Sequence, residues 1–426
     1  MTLSYIDTSY TPTKNDLVCE YSLQPAKGIS FETAAQNIAG ESSIGTWTDI
    51  STMNPGIAKR LRPSVFYLNK KANIIRIAYS EDLFEAGNMP EILSSIAGNI
   101  FGMNAIDSLR LEDISFPKSM INSFKGPKFG INGIRKLTRI KDRPLVGTIV
   151  KPKVGLTPSQ HAKVAYNSWA GGLDVVKDDE NLSSMKFNRF EDRLVKTLEL
   201  RDRAEEETGE KKIYMPNITA ETMEMLRRAD LVKAQGGEYI MVDILTCGWS
   251  ALQTVREQEK GMVIHAHRAM HGALTRNRSH GISMLPIAKI ARLIGCDQLH
   301  IGTAVGKMDG SPEEIKAIEK EIESSKLIPE PKNHILEQDW HNIKPTLAVA
   351  SGGLHPGMTA SLIKILGTNI VAQYGGGCHG HPKGTMAGAK AIRQSVDAAM
   401  KNIPLKEAVK MKEYTELKQA IDLWGC

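Results

Sequence analysis

Residues 145–180 read LVGTIVKPKVGLTPSQHAKVAYNSWAGGLDVVKDDE. Leu145–Val150 and Leu173–Lys177 are short and apolar, as buried strands are, whereas Ser159–Trp169 between them carries the 3.6-residue period of an amphipathic helix. Strand, helix and strand in that order make a βαβ crossover. The pattern then recurs. Strand-like runs follow at Ile213–Pro216, Tyr239–Asp243, Val263–His267, Gln298–Ile301, Thr346–Ser351 and Ile370–Tyr374. Helical patterns follow at Phe190–Glu207, Ala220–Ala234, Trp249–Glu259, Leu285–Leu293, Pro312–Ser324, Met358–Leu366 and Thr385–Lys401. Eight strand–helix pairs in about 255 residues predict an α/β fold, a closed (β/α)8 TIM barrel. A doubly wound open sheet is the competing arrangement, weakened because no Gly-rich dinucleotide fingerprint follows an early strand.

Upstream the rhythm differs. Asp16–Leu23 alternates like a strand, Phe31–Ile38 and Met89–Ala97 suit helices, Val65–Asn69 and Asn73–Ala78 suit a hairpin, and Leu109–Phe116 suits a returning strand. The reading is a smaller α+β, ferredoxin-like N-terminal domain over 1–135, then the barrel over 136–426 with a C-terminal helical tail.

The chain has 426 residues, 41% hydrophobic and 24% charged, which excludes disordered and fibrous classes. The apolar-leaning stretch Ile92–Ile106 is interrupted by Ser94, Ser95, Gly98, Asn99, Gly102 and Asn104, so no membrane span is expected. The start has neither a basic leader nor an apolar core, so no signal peptide is expected. The five cysteines form no CxxC pair, which favours a reducing cytoplasm and argues against a thiolate zinc site. The net charge of +6 is spread among acids without a basic block, so no nucleic-acid partner is expected. All eleven histidines fall at or after His161, which suggests two regions with different tasks, chance clustering being the plainer alternative.

Catalytic groups of a barrel gather where its strands end. Here the strand ends carry Lys151-Pro152-Lys153, Lys177-Asp178-Asp179-Glu180, His265-Ala266-His267-Arg268, His300, Ser351-Gly352-Gly353 and Gly375-Gly376-Gly377. Carboxylates after the second strand suit a hard cation such as Mg2+; a solvated acidic loop is the alternative. The two glycine-rich ends, read as lying next to helix N-termini, suit phosphate, although either could be a turn that needs positive φ. Lys307, between Gly306 and Gly310, reads as a cation on a closing loop or as part of an ordinary flexible one. His267 is an acid/base candidate and Arg268 a phosphate clamp, with His265 and His271 as supporting residues. Two phosphate sites, one hard cation, several lysines and a histidine base describe an enzyme that handles a doubly phosphorylated sugar through an enolate.

These same segments carry a resemblance. GTIVKPKVG, GGLDVVKDDEN, HAHRAMH, HIGTAVGKMDG, SGGLHP and QYGGGCHGHP, with GESSIGTWT upstream, resemble the large chain of ribulose-bisphosphate carboxylase/oxygenase (Rubisco), in order over nearly the whole chain. The wording is most similar to the archaeal form III enzymes of methanogens, which work without a small subunit. The resemblance implies Mg-dependent enolisation of ribulose 1,5-bisphosphate, addition of CO2 and cleavage to two 3-phosphoglycerate, with an oxygenase side reaction and a setting in archaeal AMP and nucleoside salvage. It implies that Lys177 is carbamylated and, with Asp179 and Glu180, holds Mg2+, while Asp178 lies behind them. Lys151, Lys177, His267 and Lys307 are the implied catalytic residues, and Lys153 supports Lys151. One phosphate is implied at Gly375 and Gly376 with Thr46, Trp47 and Gly353, and the other at Arg268 and His300. Ser351, Gly352, Gln373 and Tyr374 are implied to line the substrate. Glu41, Thr46, Trp47 and Asn99 are implied to come from a partner subunit, so the active unit is at least a homodimer, open to a ring of dimers.

Ile149 and Ile301 depart from plant-type relatives, which have threonine and serine there. The rivals are a Rubisco-like enolising or isomerising protein and a silent metabolite-binding barrel. Retention of Lys151, Lys153, Lys177, Lys307, His267, His300 and Arg268 favours the carboxylase over both.

Overall fold

The computed structural model describes residues 3–48, 50–258, 260–305 and 310–426. They form two compact units, one of Met1–Gly126, Met270–Ile294 and Ser324–Ile343, the other of Pro127–Ala269, Gly295–Glu323 and Lys344–Cys426.

The first unit is built on β1 (Asp16–Pro25), β2 (Ser64–Asn69), β3 (Ile74–Ser80) and β4 (Ile106–Ser115). The order is β4, β1, β3, β2, all antiparallel, with Gly281–Ile282 added in parallel beside β4. Helix Phe31–Glu41, capped by Ser30 accepting the Thr33 N–H, packs on β1 and β2. Helix Met284–Ile294 packs on β4 and is buried on every side. Its two charges are therefore paired: Lys289 Nζ donates to Asp113 and to Ile114 O, each at 2.7 Å, and Arg292 lies over the Trp340 ring. His271, His280, His334 and His341 all belong to this unit. The late histidines thus do not mark a separate region, because the chain returns twice to its first sheet.

The second unit is the expected barrel. Its strands are β5 (Leu145–Ile149), β6 (Val175–Lys177), β7 (Ile213–Met215), β8 (Tyr239–Asp243), β9 (Val263–His267), β10 (Gln298–Gly302), β11 (Leu347–Ser351) and β12 (Ile370–Gln373). All pair in parallel in the order β7, β6, β5, β12, β11, β10, β9, β8. A parallel bridge between Asn217 and Met241 joins the two ends of this series. Residues Leu145, Val175, Ile213, Tyr239, Val263, Leu347 and Val371 meet in one buried cluster with Met215, Met241 and Val349. Strand alternation sends every second residue to the same face. Two or four positions further along, that face presents Lys177, Asp243, His265, His267, Ser351 and Gln373, so one end of the barrel is apolar and the other chemically equipped.

All five cysteines are unpaired, and among the described residues no helix is long and apolar enough to cross a membrane.

Gly147 lets β5 approach β6 closely: a Cβ there would stand 2.1 Å from Val175 Cγ2 and 2.6 Å from Val175 O. Gly147→Ala should cost about 1–3 kcal/mol in urea unfolding. Adding Val175→Ala should not restore it, because the carbonyl contact remains; full restoration would contradict this packing.

Candidate active site

Consecutive acids after β6 have different surroundings. Asp178 is fully buried and takes bonds from Arg193 Nε at 3.1 Å, Tyr214 Oη at 2.7 Å and the Asn217 N–H at 3.0 Å, with His161 Nε2 3.1 Å away. Burial pushes its pKa up, but Arg193 and His161 win, and its carboxyl stays well below the usual range. Asp179 instead accepts Lys151 Nζ at 2.6 Å and the Asn181 N–H at 3.1 Å. Glu180 lies 3.5 Å from Lys177 Nζ, 3.8 Å from Lys153 Nζ and 3.6 Å from His267 Nε2. Against burial, Lys177 and His267 bring Glu180 down to about 2. Asn217 Nδ2 ties down the carbonyls of Glu180 and Leu182.

Lys177 is 1% exposed. Its Nζ donates to Asp178 O at 2.9 Å and faces Met241 Sδ at 3.4 Å. Burial lowers its pKa, opposed by Glu180, Asp179 and Asp243. The arrangement makes a neutral amine accessible in a site that already holds two carboxylates. Among the described residues, no three His, Cys, Asp or Glu side chains gather as metal ligands.

On β9 and β10, His265 Nδ1 lies 2.7 Å from Gln298 Oε1, and His265 Nε2 lies 2.9 Å from His300 Nε2. Since Gln Oε1 only accepts, His265 carries its hydrogen on Nδ1 and accepts from His300 Nε2–H. Burial holds His265 down to about 3 and His300 well below its ordinary value. His267 Nδ1 accepts the Ala269 N–H at 3.2 Å, with Asp243 Oδ1 3.1 Å from the same nitrogen and Glu180 Oε2 3.6 Å from Nε2. Arg268 is partly buried, and desolvation, opposed by the Glu314 charge, pushes it down to about 10. Gly302 (φ +102°) makes room for it, since a Cβ there would stand 2.7 Å from Nη2. A guanidinium desolvated in this way is suited to an anionic ligand.

The glycine ends differ from each other. Gly352 (φ +122°) and Gly353 (φ +72°) form a left-handed turn, and no helix starts at once: the 3-10 turn Pro356–Met358 and helix Thr359–Leu366 come later. The expected helix N-terminus is therefore absent at that end. Gly375 caps the short helix Gly376–His379, and a Cβ on Gly375 would stand 3.5 Å from Lys151 Cε. Gln373 is fully buried with neither amide atom hydrogen-bonded. Tyr374 is buried too, its hydroxyl 2.8 Å from Thr359 Oγ1.

Residues 130–424 match the family profile "ribulose bisphosphate carboxylase large chain, catalytic domain", and residues 4–120 match the corresponding N-terminal domain. The chain belongs to the ribulose bisphosphate carboxylase large-chain family. It is 53% identical to the ribulose bisphosphate carboxylase of Methanosarcina barkeri over 427 residues, covering 100% of this chain and 99% of that one. Among solved structures it is similar to the dimeric archaeal Rubisco from Hyperthermus butylicus, with 45% identity, TM-score 0.93 and coverage of 99% and 98% of the two chains. It is similar also to the octameric Rubisco from Pyrococcus horikoshii in complex with a sulfate ion, with 46% identity, TM-score 0.92 and coverage of 100% and 99%.

The Rubisco-type residues Lys151, Lys153, Lys177, Asp179, Glu180, His267, Arg268, His300, Ser351, Gly352, Gly353 and Gln373–Gly376 all lie in the second unit, His300 within β10 and the others at or just beyond strand ends. Glu41, Trp47 and Asn99 line a cleft of about 710 Å3 in the first unit, where Asn99 Nδ2 donates to Glu41 at 3.4 Å; Thr46 is exposed beside them and Trp47 is 93% exposed. Lys307 lies outside the described residues. Asp243 was missed by the sequence reading, although an aspartate closing a strand was a usable signal; its pairing with His267 follows from the β8–β9 register. Arg193, Tyr214 and Asn217 were missed as well, since their convergence on Asp178 leaves no local trace.

The lowered histidines make acid lability testable. His265 and His300 bind fewer protons folded than unfolded below the ordinary value of 6.5. Their stabilisation is therefore complete above pH 6.5 and declines as pH falls toward about 3 for His265. Each should remove up to about 1.4 kcal/mol per pH unit in urea unfolding between pH 6.5 and 5. A flat profile in that window would contradict their neutral burial.

Proposed function

We propose that the protein is a Mg-dependent ribulose-1,5-bisphosphate carboxylase acting in the cytoplasm as a homodimer or a ring of dimers, with O2 competing for the same intermediate. The observation that carries the reading is the desolvated Lys177 amine 3.5 Å from Glu180, beside an Asp179 already held by Lys151. Two carboxylates are too few anionic donors for a tightly held cation. Attack of neutral Lys177 Nζ on CO2 forms an N–C bond, releases one proton and converts the amine into a third anionic donor. The donor set then fits Mg2+, with Lys177, Asp179 and Glu180 as its residues. Bound there, Mg2+ supplies Lewis-acid polarisation of substrate oxygens.

The chain's own groups account for the proton movements. The Lys177 carbamate takes the C3 proton of ribulose 1,5-bisphosphate, and CO2 adds to C2 of the resulting enediolate. Lys307 stabilises the new carboxylate. After hydration and C–C cleavage, Lys151 protonates the carbanion, and His267 serves as the second acid/base. Lys153 supports Lys151 and the substrate. Arg268 and His300 hold one phosphate. Gly375, Gly376 and Gly353 hold the other, joined by the partner subunit's Thr46 and Trp47; an indole as exposed as Trp47 is suited to such a shared site. Glu41 and Asn99 would enter from the partner as well, and Ser351, Gly352, Gln373 and Tyr374 line the substrate. Likeness to archaeal relatives supports a setting in salvage of nucleotide-derived ribose.

The test is anaerobic incubation of CO2-activated enzyme with ribulose 1,5-bisphosphate, Mg2+ and labelled bicarbonate. Labelled 3-phosphoglycerate is expected; enolisation without label would favour a Rubisco-like protein and overturn the carboxylase reading. Lys177→Ala should lower turnover by about 1,000-fold or more, and unchanged turnover would refute its role.

A further inference from the structure

The Gly375–Gly377 turn is tied to β5 by a side chain that the mechanism above does not use. His379 closes the short helix Gly376–His379. Its Nε2 lies 2.9 Å from Ile149 O and 2.9 Å from Thr148 Oγ1, and its Nδ1 lies 3.0 Å from Thr385 Oγ1. A carbonyl can only accept, so Nε2 carries the hydrogen and Nδ1 accepts from the Thr385 hydroxyl. Thr148 Oγ1 donates to Tyr374 O at 2.7 Å, which leaves its oxygen free to share the Nε2 hydrogen. One neutral tautomer thus satisfies every contact, and burial, the largest influence, pushes the ring down to about 4.

The position of this bond follows from the sheet. The β5–β12 ladder ends with the Tyr374 N–H donating to Gly147 O at 2.8 Å. In a parallel strand, residues two apart face the same neighbour, so Ile149 O lies on the same edge as Gly147 O. Val150 N–H, one residue on, donates across the other edge to Lys177 O. The chain turns away at Gly375, and His379 supplies the donor that a continued strand would have given. The pinned carbonyl lies two residues before Lys151, whose Cε sits 3.5 Å from where a Cβ on Gly375 would be.

We propose that His379 is a positioning residue that fixes Lys151 in register with the Gly375–Gly376 phosphate turn. The role rests on the carboxylase reading, and the test separates the two. His379→Gln carries an amide N–H to the Nε2 position and keeps the donor to Ile149 O. His379→Asn reaches only the Nδ1 position, so it keeps Thr385 and loses that donor, and His379→Leu loses both.

Labelled 3-phosphoglycerate from the parent enzyme first secures the reaction. For Asn and Leu, kcat should then fall about 10- to 100-fold and KM for ribulose 1,5-bisphosphate should rise several-fold, the scale expected of a displacement of about 1 Å. Gln should stay within about threefold on both. If Gln is as impaired as Asn, or if Asn and Leu match the parent, the proposal is overturned; should Leu fail to fold, the Asn–Gln pair decides. A readout that needs no turnover is the 15N spectrum of labelled histidines, assigned by loss of signal in His379→Gln. It should show the Nε2–H tautomer unchanged from pH 7.5 to 5.5. An Nδ1–H tautomer, or protonation in that range, would overturn the proposal even if the parent made no product.

Discussion

The centre of the barrel is organised by the cost of burying one ammonium. Lys177 ends β6, a strand of three residues, and its Nζ is enclosed by Met241 Sδ and the Asp178 carbonyl. Removing the charged form from water favours the free amine, while Glu180, Asp179 and Asp243 favour the ammonium. Neither influence alone would suit the site. For the carbamylation and cation binding proposed above, a fully hydrated ammonium would not attack CO2, and a lysine in a wholly apolar pocket would have no carboxylates with which to share a cation. Position at the boundary between the apolar cluster and the strand ends satisfies both demands.

The same boundary is drawn on every strand by alternation. Val175 and Lys177 share a face, as do Tyr239, Met241 and Asp243, and Val263, His265 and His267. Asp178 falls between two inward residues and faces the surrounding helices, where Arg193 of helix Phe190–Thr208 and His161 of helix Pro158–Ala170 meet it. That buried carboxylate is fastened before the chain reaches Asp179. The loop bearing the two mouth carboxylates therefore starts from a fixed point, held again by Asn217 on the far side. A rigid start is what the proposed three-donor site requires if its donors are to converge without a bound cation to gather them.

Legibility in the sequence follows the range of each interaction. Strands and helices of the barrel were readable because periods of 2 and 3.6 are local, and the strand-end residues were readable because they sit at fixed offsets from those runs. Interactions set by register between strands were not. The facing of Asp243 and His267 depends on β8 and β9 pairing without a shift, and the clasp of His379 on Ile149 depends on where β12 stops. The histidine count misled for a related reason: His280 and His334 come late in the chain, yet His334 Nδ1 lies 2.7 Å from Glu20 on β1. The Ser351-Gly352-Gly353 end shows the limit of glycine as a signal, because the residues fit both a helix start and a left-handed turn, and only the turn is built.

Ile149 is the departure from plant-type wording that bears most directly on this geometry. Its Cδ1 lies 4.0 Å from the position a Gly375 Cβ would take, on the same side as Lys151. A hydroxyl there would be a competing partner for the Lys151 ammonium or for the turn's backbone. Isoleucine has no such group, so Asp179 is the hydrogen-bond acceptor of Lys151 in this structure.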